Sequence, residues 1–494
     1  MKIRLRIHET PMSRLRAYHL APGKQAEALS YVWGQAVNVG KELIILVPHN
    51  AKVWPLAPDC FASQSAGNVR LEPEVLNGML IKFAESHFNC LINVHDHWFD
   101  DYTRFSGIDD CDDIEFDHYL RSSFEPMLVK HHHIGPARSI YNVSVVLAQK
   151  GLDTRLVDTR RQSHFSSLAA VDVVGEHFER IVPSKPTMDS FSGEVFSRQR
   201  DFITSDRQAL LGEMNVALVG CGGLGSILAE SLGRIGIGGV TLIDDDRIDI
   251  SNLNRWQGGT PRAVGKAKAA VLAARLRRMF PHMRVKRLSK SVFDPSVEPA
   301  LATCDVIVAG LDNDEARYFM NRFSIQYSIP YFDAGVAVTG SDETTDFHSR
   351  FFAVLPGTTA CAECTQYSLF DREKTLVAFL DEATAKSRRI AGYVIDQPQM
   401  ATPSVYALNQ RAASLLVTEL LNYVCSWRPT ATMVSESWRD GAVQRADREN
   451  FPEGPDPECP VCGFYSGTGN TEPLPRPRAF DSVSPTDESG SRPH

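Results

Sequence analysis

The chain has 494 residues, a formal net charge of -8 at pH 7 and 43% hydrophobic residues, which suits a globular protein of two or three domains. The acidic excess argues against a general nucleic-acid binder, because such proteins carry a basic surface. No apolar run approaches the roughly 20 residues that cross a bilayer, and the N-terminus lacks the apolar core of a signal peptide. We therefore expect a cytoplasmic protein.

The N-terminal third of the chain alternates strand-like and helical segments. The apolar runs LIILV, CLINV and NVSVVLA predict strands, and Glu72 to His87 predicts a helix. The polar, proline-containing segment IVPSKPTMDSFSGEVFSRQRD follows and predicts a linker between domains.

From Asn215 the pattern becomes strand, glycine-rich turn, helix and strand, in the order NVALVG, CGGLGS, ILAESLGRIG and GVTLIDDD. This order predicts the opening of a doubly wound parallel sheet. The later runs DVIVAGLDN and PYFDAGVAV have the length of further strands. The chain after Ser466 is rich in Pro, Ser and Thr with little to bury, and predicts a disordered tail.

The glycine-rich turn predicts a nucleotide site. Gly220, Gly222, Gly223 and Gly225 let the backbone approach a phosphate at the start of the following helix. Asp244 ends the next strand, where a carboxylate often binds ribose hydroxyls. These features alone fit an NAD dehydrogenase as well as an enzyme that uses ATP.

The segment after Asp244 favours ATP, because it brings the cationic stretches SNLNR and GKAKA. Transfer of AMP to a carboxylate builds negative charge on the α-phosphate and on departing pyrophosphate, so cations and Mg²⁺ must converge there. A hydride-transfer site has no such need.

Here the sequence closely resembles the E1-like family of ubiquitin-activating enzymes and their bacterial sulfur-carrier relatives, the ThiF/MoeB/HesA group. The pieces that carry the resemblance occur in the family order: FSRQ, GCGGLGS, SNLNR, GKAKA and GLDN. Asn252 lies in the SNLNR piece and is placed with the nucleotide. The alternative is a nucleotide-binding fold that has lost its chemistry.

The resemblance implies a role for each charged position. Asp244 would hold the ribose, Arg255 and Lys268 would contact the triphosphate of ATP, and Asp312 would hold Mg²⁺. Arg198, in the FSRQ piece, resembles the family's arginine finger, which reaches into the other subunit. The resemblance therefore implies a homodimer.

Four of the ten cysteines form two Cys-x-x-Cys pairs, Cys361 with Cys364 and Cys459 with Cys462. Two such pairs predict a closed tetrahedral zinc site, and the E1-like family carries such a zinc. The alternative is two unrelated turns with surface cysteines. Between the pairs lies Cys425, in the apolar run SLLVTELLNYVCSW, which predicts a packing role. We expect adenylation without a conventional internal thioester.

The stretch NVHDHWFDDYTRFSGIDD contains a second group of candidate metal ligands. His95 and His97 follow a strand and project to one face, so both imidazoles can reach one metal. Zinc hydrolases keep three protein ligands and one open position, and an aspartate further along could be the third ligand. The alternative is a polar strand end followed by an acidic solvated loop.

This stretch resembles the JAMM (JAB/MPN) metalloprotease motif. The resemblance implies that His95, His97 and Asp109 bind Zn²⁺, that Ser106 stabilises the oxyanion, and that Glu27 is the general base. Eight residues separate His97 from Ser106, one more than the family pattern has. The insertion leaves Asp110 open as the alternative ligand.

The predicted fold class is α/β, with an N-terminal α+β JAB-like domain followed by a Rossmann-like adenylation domain. The expected boundaries are 1–160 for the metallopeptidase domain, 161–195 for the linker, 196–465 for the adenylation domain with its four-cysteine zinc site, and 466–494 for the tail.

The favoured function is adenylation of the C-terminal glycine of a ubiquitin-like protein, combined with zinc-dependent cleavage after that glycine. The alternatives are sulfur-carrier activation in cofactor biosynthesis and an adenylation enzyme whose N-terminal domain only binds the carrier. The expected cofactors are ATP, Mg²⁺ and two Zn²⁺. The expected partners are the carrier protein, a separate conjugating enzyme and a second copy of the chain, in a prokaryotic pathway of the kind linked to phage defence.

Overall fold

The computed structural model describes residues 1–55, 60–65, 68–101, 103–130, 138–183, 194–341, 344–365, 372–390, 404–439, 442–446 and 454–478. Two large sheets organise this part of the chain, one of ten strands and one of eight. No helix in these ranges combines the length and the apolarity that a bilayer crossing requires.

The N-terminal sheet has the strand order β10-β9-β8-β7-β2-β3-β1-β11-β12, with β4 beside β2, and β5 and β6 form a separate hairpin. The strands are β1 Lys2–His8, β2 Leu29–Val39, β3 Glu42–Val47, β4 Val53–Pro55, β5 Phe61–Ser65, β6 Asn68–Leu71, β7 Cys90–Asp96, β8 Tyr141–Ala148, β9 Gly151–Val157, β10 Phe165–Ser167, β11 Ala170–Val174 and β12 Phe178–Ile181. The helices are α1 Glu9–His19, α2 Pro73–Glu85, α3 Gly107–Tyr119 and, after a π-helical turn at Leu120–Phe124, α4 Glu125–Lys130.

The second sheet has the order β15-β14-β13-β16-β17-β18-β19-β20. Its strands are β13 Asn215–Val219, β14 Gly239–Ile243, β15 Arg284–Leu288, β16 Val306–Ala309, β17 Tyr331–Ser341, β18 Thr344–Val354, β19 Met433–Arg439 and β20 Ala442–Ala446. Its helices are α5 Ser205–Glu213, α6 Gly223–Ile235, α7 Lys268–Met279, α8 Glu298–Ala302, α9 Asp314–Tyr327, α10 Arg372–Phe379, α11 Glu382–Ile390, α12 Tyr406–Cys425 and α13 Cys462–Tyr465. Short 3-10 turns occur at Glu194–Gln199, Ile250–Asn252, Pro261–Ala263 and Pro295–Val297.

The first five strands of this sheet pair in parallel, as the alternation of strand, turn and helix predicts. The apolar runs at β13, β14 and β16 are buried because helices cover both faces of a parallel sheet. The Rossmann-like α/β fold expected from the sequence is confirmed for this half. Antiparallel strands β18 to β20 extend the sheet on one side.

The two halves of the chain share buried contacts. Arg4 of β1 donates to Asp305 at 2.8 Å, and Arg180 donates to the same carboxylate oxygen at 2.7 Å. Arg6 is buried and donates to the carbonyls of Tyr327 at 2.7 Å and Cys304 at 3.0 Å. Desolvation lowers the pKa of Arg6 to about 10, which still leaves it charged at neutral pH.

The predicted linker begins too early. Strands β10, β11 and β12 lie within 161–195, and β11 pairs in parallel with β1, with Arg4 opposite Ala170. The five residues of β11, AVDVV, are all buried because they complete the N-terminal sheet beside its first strand. Residues 184–193 lie outside the described ranges.

The predicted disordered tail also begins too early. The backbone N–H groups of Gly467 and Gly469 donate to the carbonyls of Ile325 and Gln326 at the end of α9, at 3.1 and 2.8 Å. Leu474 is buried in the core, and Arg476 donates to the carbonyl of Phe293 at 2.8 Å. These contacts show that the expectation of disorder is wrong for 466–478. The amino-acid composition, on which that expectation is based, cannot reveal such backbone hydrogen bonds. Residues 479–494 lie outside the described ranges.

Candidate functional site

The two histidines of the N-terminal half lie at the carboxyl end of β7, between β2 and β8 in the sheet. Their ring centroids are 5.4 Å apart. His97 follows the strand directly and is held there by a hydrogen bond from its N–H to the carbonyl of Leu147, at 2.9 Å. His95 is buried, whereas His97 is partly exposed. A strand end in the middle of the sheet therefore presents two imidazoles to one side.

Asp109 reaches the histidines from the first turn of α3. Ser106 caps this helix: its hydroxyl accepts from the Asp109 N–H at 3.3 Å, and its own N–H donates to the Asp109 carboxylate at 2.5 Å. This capping box fixes the orientation of the Asp109 side chain. Asp109 Oδ1 then lies 3.1 Å from His95 Nε2, and Oδ2 lies 3.9 Å from His97 Nε2.

Asp109 lies beside the histidines, whereas the Asp110 side chain points away from them. Asp110 contacts the guanidinium of Arg155, which is also held by Asp113 at 2.8 Å and stacks over the ring of Phe105, 3.7 Å from its centroid. Three ligand atoms, one each from His95, His97 and Asp109, lie within 4.8 Å of one another, so these residues could hold a metal ion.

Glu27, the predicted general base, lies beside this cluster. Its Oε1 lies 3.8 Å from His97 Nε2, and its side chain is buried. Desolvation raises the pKa of Glu27 to about 7, with the charge of His95 opposing the rise and that of Asp109 adding to it. A carboxyl group with a pKa near neutrality can both accept and return a proton.

Thr103 is a residue of this site that the sequence does not single out. Its hydroxyl lies 2.5 Å from His97 Nδ1, which leaves Nε2 facing Asp109 and Glu27. Such a contact on the second ring nitrogen fixes the orientation of a metal-binding histidine. Thr103 lies in the loop with the extra residue, where no motif marks it.

The glycine-rich turn lies between β13 and α6. Gly220 has a φ of 86°, which favours glycine, and a Cβ on Gly225 would come within 1.9 Å of the Gly220 carbonyl oxygen. Gly222 precedes α6 and supplies no side-chain cap, so the first N–H groups of the helix stay available to a phosphate. This is the loop geometry expected from the sequence, with Gly223 as the first residue of α6.

Asp244 follows β14 beside this loop. One of its carboxylate oxygens accepts from the Cys221 N–H at 2.6 Å and the other from the Asp246 N–H at 2.8 Å. Desolvation raises the pKa of Asp244 to about 6, although these N–H groups and the charge of Lys268 oppose the rise. A carboxylate has about four acceptor positions, so Asp244 can still accept from ribose hydroxyls.

The predicted cations surround the same loop. Lys268 begins α7 and donates to Asp246 at 2.7 Å. Burial lowers the pKa of Lys268, but Asp246, Asp244 and Asp312 together raise it above its ordinary value. Arg255 lies against the start of α6, where its Cγ would be 3.1 Å from a Cβ on Gly223. The structure therefore brings Lys268, Asp244 and the stem of Arg255 to one helix N-terminus, while the Arg255 guanidinium donates to the Ser251 carbonyl at 2.7 Å.

Two further predicted residues lie in turns and loops near this loop, and a third does not. Asn252 accepts from the Asp249 N–H at 3.1 Å and closes a 3-10 turn. Asp312 is exposed in the loop between β16 and α9. Arg198 is exposed in the turn Glu194–Gln199, whose buried Phe196 packs against Gly236, at the opposite end of α6 from the glycine-rich loop.

The four paired cysteines meet in one cluster. Cys361 Sγ lies 3.7 Å from Cys364 Sγ and 3.7 Å from Cys459 Sγ, and Cys364 Sγ lies 3.3 Å from Cys462 Sγ. Four sulfurs at tetrahedral positions about 2.3 Å from a zinc ion would be about 3.8 Å apart. All four cysteines are free of disulfides, so the cluster suits one metal ion.

Cys425 lies at the last position of α12, half-buried against the core of the second half. Burial raises the pKa of its thiol to about 11, and the charge of Arg207 opposes the rise. The thiolate is the nucleophilic form, so this cysteine is poorly suited to accept an activated acyl group.

The comparison with family models concerns the second half. The ThiF family model matches residues 196–461. The ubiquitin-like modifier-activating enzyme 5 of Drosophila willistoni is 28% identical over 233 residues, which cover 44% of this chain and 54% of that protein. The sulfur carrier protein ThiS adenylyltransferase of Bacillus subtilis (strain 168) is 34% identical over 173 residues, covering 34% and 49%.

Among solved structures, E. coli MccB with succinimide is 21% identical with a TM-score of 0.43, covering 56% of this chain and 76% of that one. The chain spans about half the length of the curated relatives it matches. Because the family match at residues 196–461 takes in more than half of the 494 residues, the protein belongs to the ThiF family.

Proposed function

We propose that the second half uses ATP to adenylate the C-terminal glycine of a ubiquitin-like or sulfur-carrier protein, releasing pyrophosphate. The observation that carries this proposal is the convergence of Lys268, Arg255, Asp244 and Asp312 on the glycine-rich loop. An anionic polyphosphate needs such cations and such a helix N-terminus. The two relatives above are named for a ubiquitin-like modifier and for a sulfur carrier.

Each residue then has a task. The N–H groups at the start of α6 and the side chains of Arg255 and Lys268 bind phosphate oxygens. Asp244 accepts from the ribose, and Asp312, whose charge acts on Lys268, is an exposed carboxylate of the kind that Mg²⁺ prefers. Bound Mg²⁺ would neutralise charge on the phosphates. Arg198, exposed at the start of this half, would act on the site of a second copy in a homodimer.

The test is pyrophosphate exchange into ATP in the presence of a candidate carrier with a C-terminal glycine. Asp312→Ala should lower the exchange rate at least about 100-fold, because it removes the proposed Mg²⁺ ligand. Glu213→Ala is the control, since Glu213 is exposed at the opposite end of β13 from the glycine-rich loop. Exchange retained in Asp312→Ala would rule out the Mg²⁺ role.

For the N-terminal half we propose a JAMM (JAB/MPN)-like zinc peptidase. The observation that carries it is the clustering of three ligand atoms: one each from His95, His97 and Asp109 lie within 4.8 Å of one another, with His95 Nε2 buried and 3.1 Å from Asp109 Oδ1. Two imidazole nitrogens and a carboxylate oxygen at this spacing are a ligand set that zinc prefers.

His95, His97 and Asp109 would then be the zinc ligands. Bound zinc would supply an activated water, and Glu27, which lies beside His97, would be the general base for its proton and the general acid for the leaving amine. The Ser106 oxygen accepts from the Asp109 N–H, and its O–H would turn to donate to an oxyanion. A second zinc in the four-cysteine cluster would be structural.

Both halves would recognise the same modifier, because one activates its C-terminal glycine and the other cuts after it. Residues 1–181 form the peptidase-like half and residues 196–478 the adenylation half in this division. Tethering the two raises the effective concentration of the shared substrate.

Sulfur-carrier activation remains the second candidate function. The half-buried Cys425 with its raised pKa favours it, since this reaction needs no thioester on that cysteine. The third candidate, an N-terminal half that only binds the carrier, differs from the peptidase in its metal content.

The test of the peptidase site is zinc content together with cleavage of a carrier that bears a C-terminal extension. Asp109→Ala should reduce the zinc content from about two to about one per chain and abolish cleavage, because it removes one of three ligands. Asp110→Ala is the matched control and should keep both, since Asp110 contacts Arg155. Unchanged metal in Asp109→Ala, or loss of zinc in Asp110→Ala, would contradict the ligand set.

A further inference from the structure

Asp96 lies between the two candidate zinc ligands on β7 but takes no part in their cluster. Its side chain is fully buried, and a single oxygen, Oδ2, accepts from His19 Nδ1 at 2.7 Å and from the Ala28 N–H at 3.1 Å. The ammonium of Lys24 contacts the same oxygen. Because side chains alternate along a strand, Asp96 projects to the opposite face from His95 and His97.

On this face, Ser30, His19 and Asp96 form a chain of hydrogen bonds in which each residue donates to the next. His19 Nδ1 lies against a carboxylate oxygen, so it must donate, and a neutral ring then accepts at Nε2. The partner of Nε2 is the hydroxyl of Ser30, at 2.7 Å, which therefore donates. Ser30, His19 and Asp96 are all buried, so water does not compete for these contacts.

The three groups that donate to Asp96 flank Glu27. His19 ends α1, Lys24 lies in the following segment, and Ala28 comes directly after Glu27. A single carboxylate oxygen on β7 therefore accepts hydrogen bonds from the start, the middle and the end of the segment 19–28, which carries the proposed general base. On its other side, the backbone of Glu27 meets β5, with its N–H donating to the Ser65 carbonyl at 3.0 Å and its carbonyl accepting from Gln64 Nε2 at 2.7 Å.

The ten-stranded sheet itself does not hold Glu27. The pairing of β2 with β7 ends at Leu29 opposite His95, so Glu27 lies beyond the last paired residue. The contacts of Asp96 continue this attachment past the end of the strand. A displacement of about 1 Å at a reacting group can cost about 100-fold in rate. Glu27 lies beyond the β2–β7 pairing, so its position depends on such additional contacts.

We propose that Asp96 is a positioning residue that holds the segment 19–28 so that the Glu27 carboxylate stays beside His97. The proposal rests on the peptidase function proposed above. It predicts that loss of the Asp96 carboxylate frees the segment and slows cleavage while the metal remains bound.

The experiment compares amide hydrogen exchange in the segment 20–28, zinc per chain and cleavage kinetics in the full chain. In Asp96→Ala we expect exchange in this segment to quicken about 10-fold or more, because the Ala28 N–H loses its acceptor. Zinc should stay at about two per chain, and kcat should fall about 10- to 100-fold with KM unchanged. Asp96→Asn keeps an acceptor oxygen, so its amide exchange and its kcat should lie between those of Asp96→Ala and of the unaltered protein.

Two further variants keep the test decisive. Lys24→Met removes one donor at a partly exposed position and should give the same changes on a smaller scale, even where Asp96→Ala fails to fold. Asp101→Ala is the control, because Asp101 is exposed and pairs with the exposed Lys150. It should match the unaltered protein.

Unchanged exchange in Asp96→Ala, or in Lys24→Met where the former does not fold, would overturn the proposal. Faster exchange with unchanged kcat would overturn it as well. Absence of cleavage by the unaltered protein would instead contradict the peptidase function, and the exchange rates would still decide whether Asp96 holds the segment.

Discussion

The two clusters of candidate metal ligands differ in what surrounds them. The four-cysteine cluster is closed: its sulfurs come from two distant segments and meet in the apolar core, and neighbouring sulfurs lie 3.3 to 3.7 Å apart. The His95, His97 and Asp109 cluster has three ligand atoms, a partly exposed histidine and the acid Glu27 alongside. A closed site can only hold the chain together, whereas a three-ligand site leaves a position for water.

The clusters also differ in their structural neighbours. The four cysteines belong to the same apolar cluster as Val37 and Leu46 of the N-terminal sheet and Phe319 of α9, so both halves pack on it. The histidine cluster instead lies at the end of a strand, beside loops. Losing the first cluster should therefore affect the whole molecule, and losing the second should affect one activity.

The largest effect should follow Cys459→Ser. Removing one of four thiolates leaves a metal in an incomplete buried site, and we expect at least about 4 kcal/mol lower free energy of unfolding and a zinc content near one per chain. Denaturant titration and metal analysis measure both. Cys111→Ser, at an exposed position, should leave both quantities unchanged. A stable Cys459→Ser protein that still holds two zinc ions would contradict the closed site.

Glu27→Gln should have a smaller and more selective effect. The amide would not serve as the proposed general base, so we expect cleavage to slow about 100-fold or more, with two zinc ions retained. Carrier-dependent pyrophosphate exchange should not change, because it belongs to the other half. Glu74→Gln, at an exposed position of α2, is the matched control. Cleavage at the normal rate in Glu27→Gln would remove the proposed base.

The smallest effect should follow Cys425→Ala, which tests a cysteine outside both clusters. We expect about 1 kcal/mol or less of lost stability, because the thiol is only half-buried. Pyrophosphate exchange should be unaffected. A covalent adduct between protein and carrier that dithiothreitol releases, and that disappears in this variant, would show that Cys425 is a thioester acceptor after all.

The second half could be predicted well from sequence because its signals are local. The loop GCGGLGS carries in seven residues the strand end, the turn and the helix start, and the parallel sheet around it is confirmed. The sequence places His95, His97 and Asp109 within 15 positions of one another, and the structure brings them together. Their roles as ligands stay a prediction.

The parts that the sequence did not reveal depend on distant contacts. Asp96 is visible between the histidines, but its partner His19 lies 77 positions away, and no pattern joins them. The order of residues 466–478 depends on backbone hydrogen bonds to the end of α9, and these leave no mark on composition. The sequence predicts a linker where β11 lies, because its sheet partner, β1, lies about 165 residues earlier in the chain.

The ionic contacts between the two halves of the chain make these halves difficult to separate. Parting the halves would leave Arg4 without Asp305 and Arg6 without its carbonyl acceptors, so water would have to replace these contacts. It would also expose Ile44 and Leu46 to solvent. Each half expressed alone would present this apolar surface to solvent, so we expect each to aggregate more readily than the intact chain.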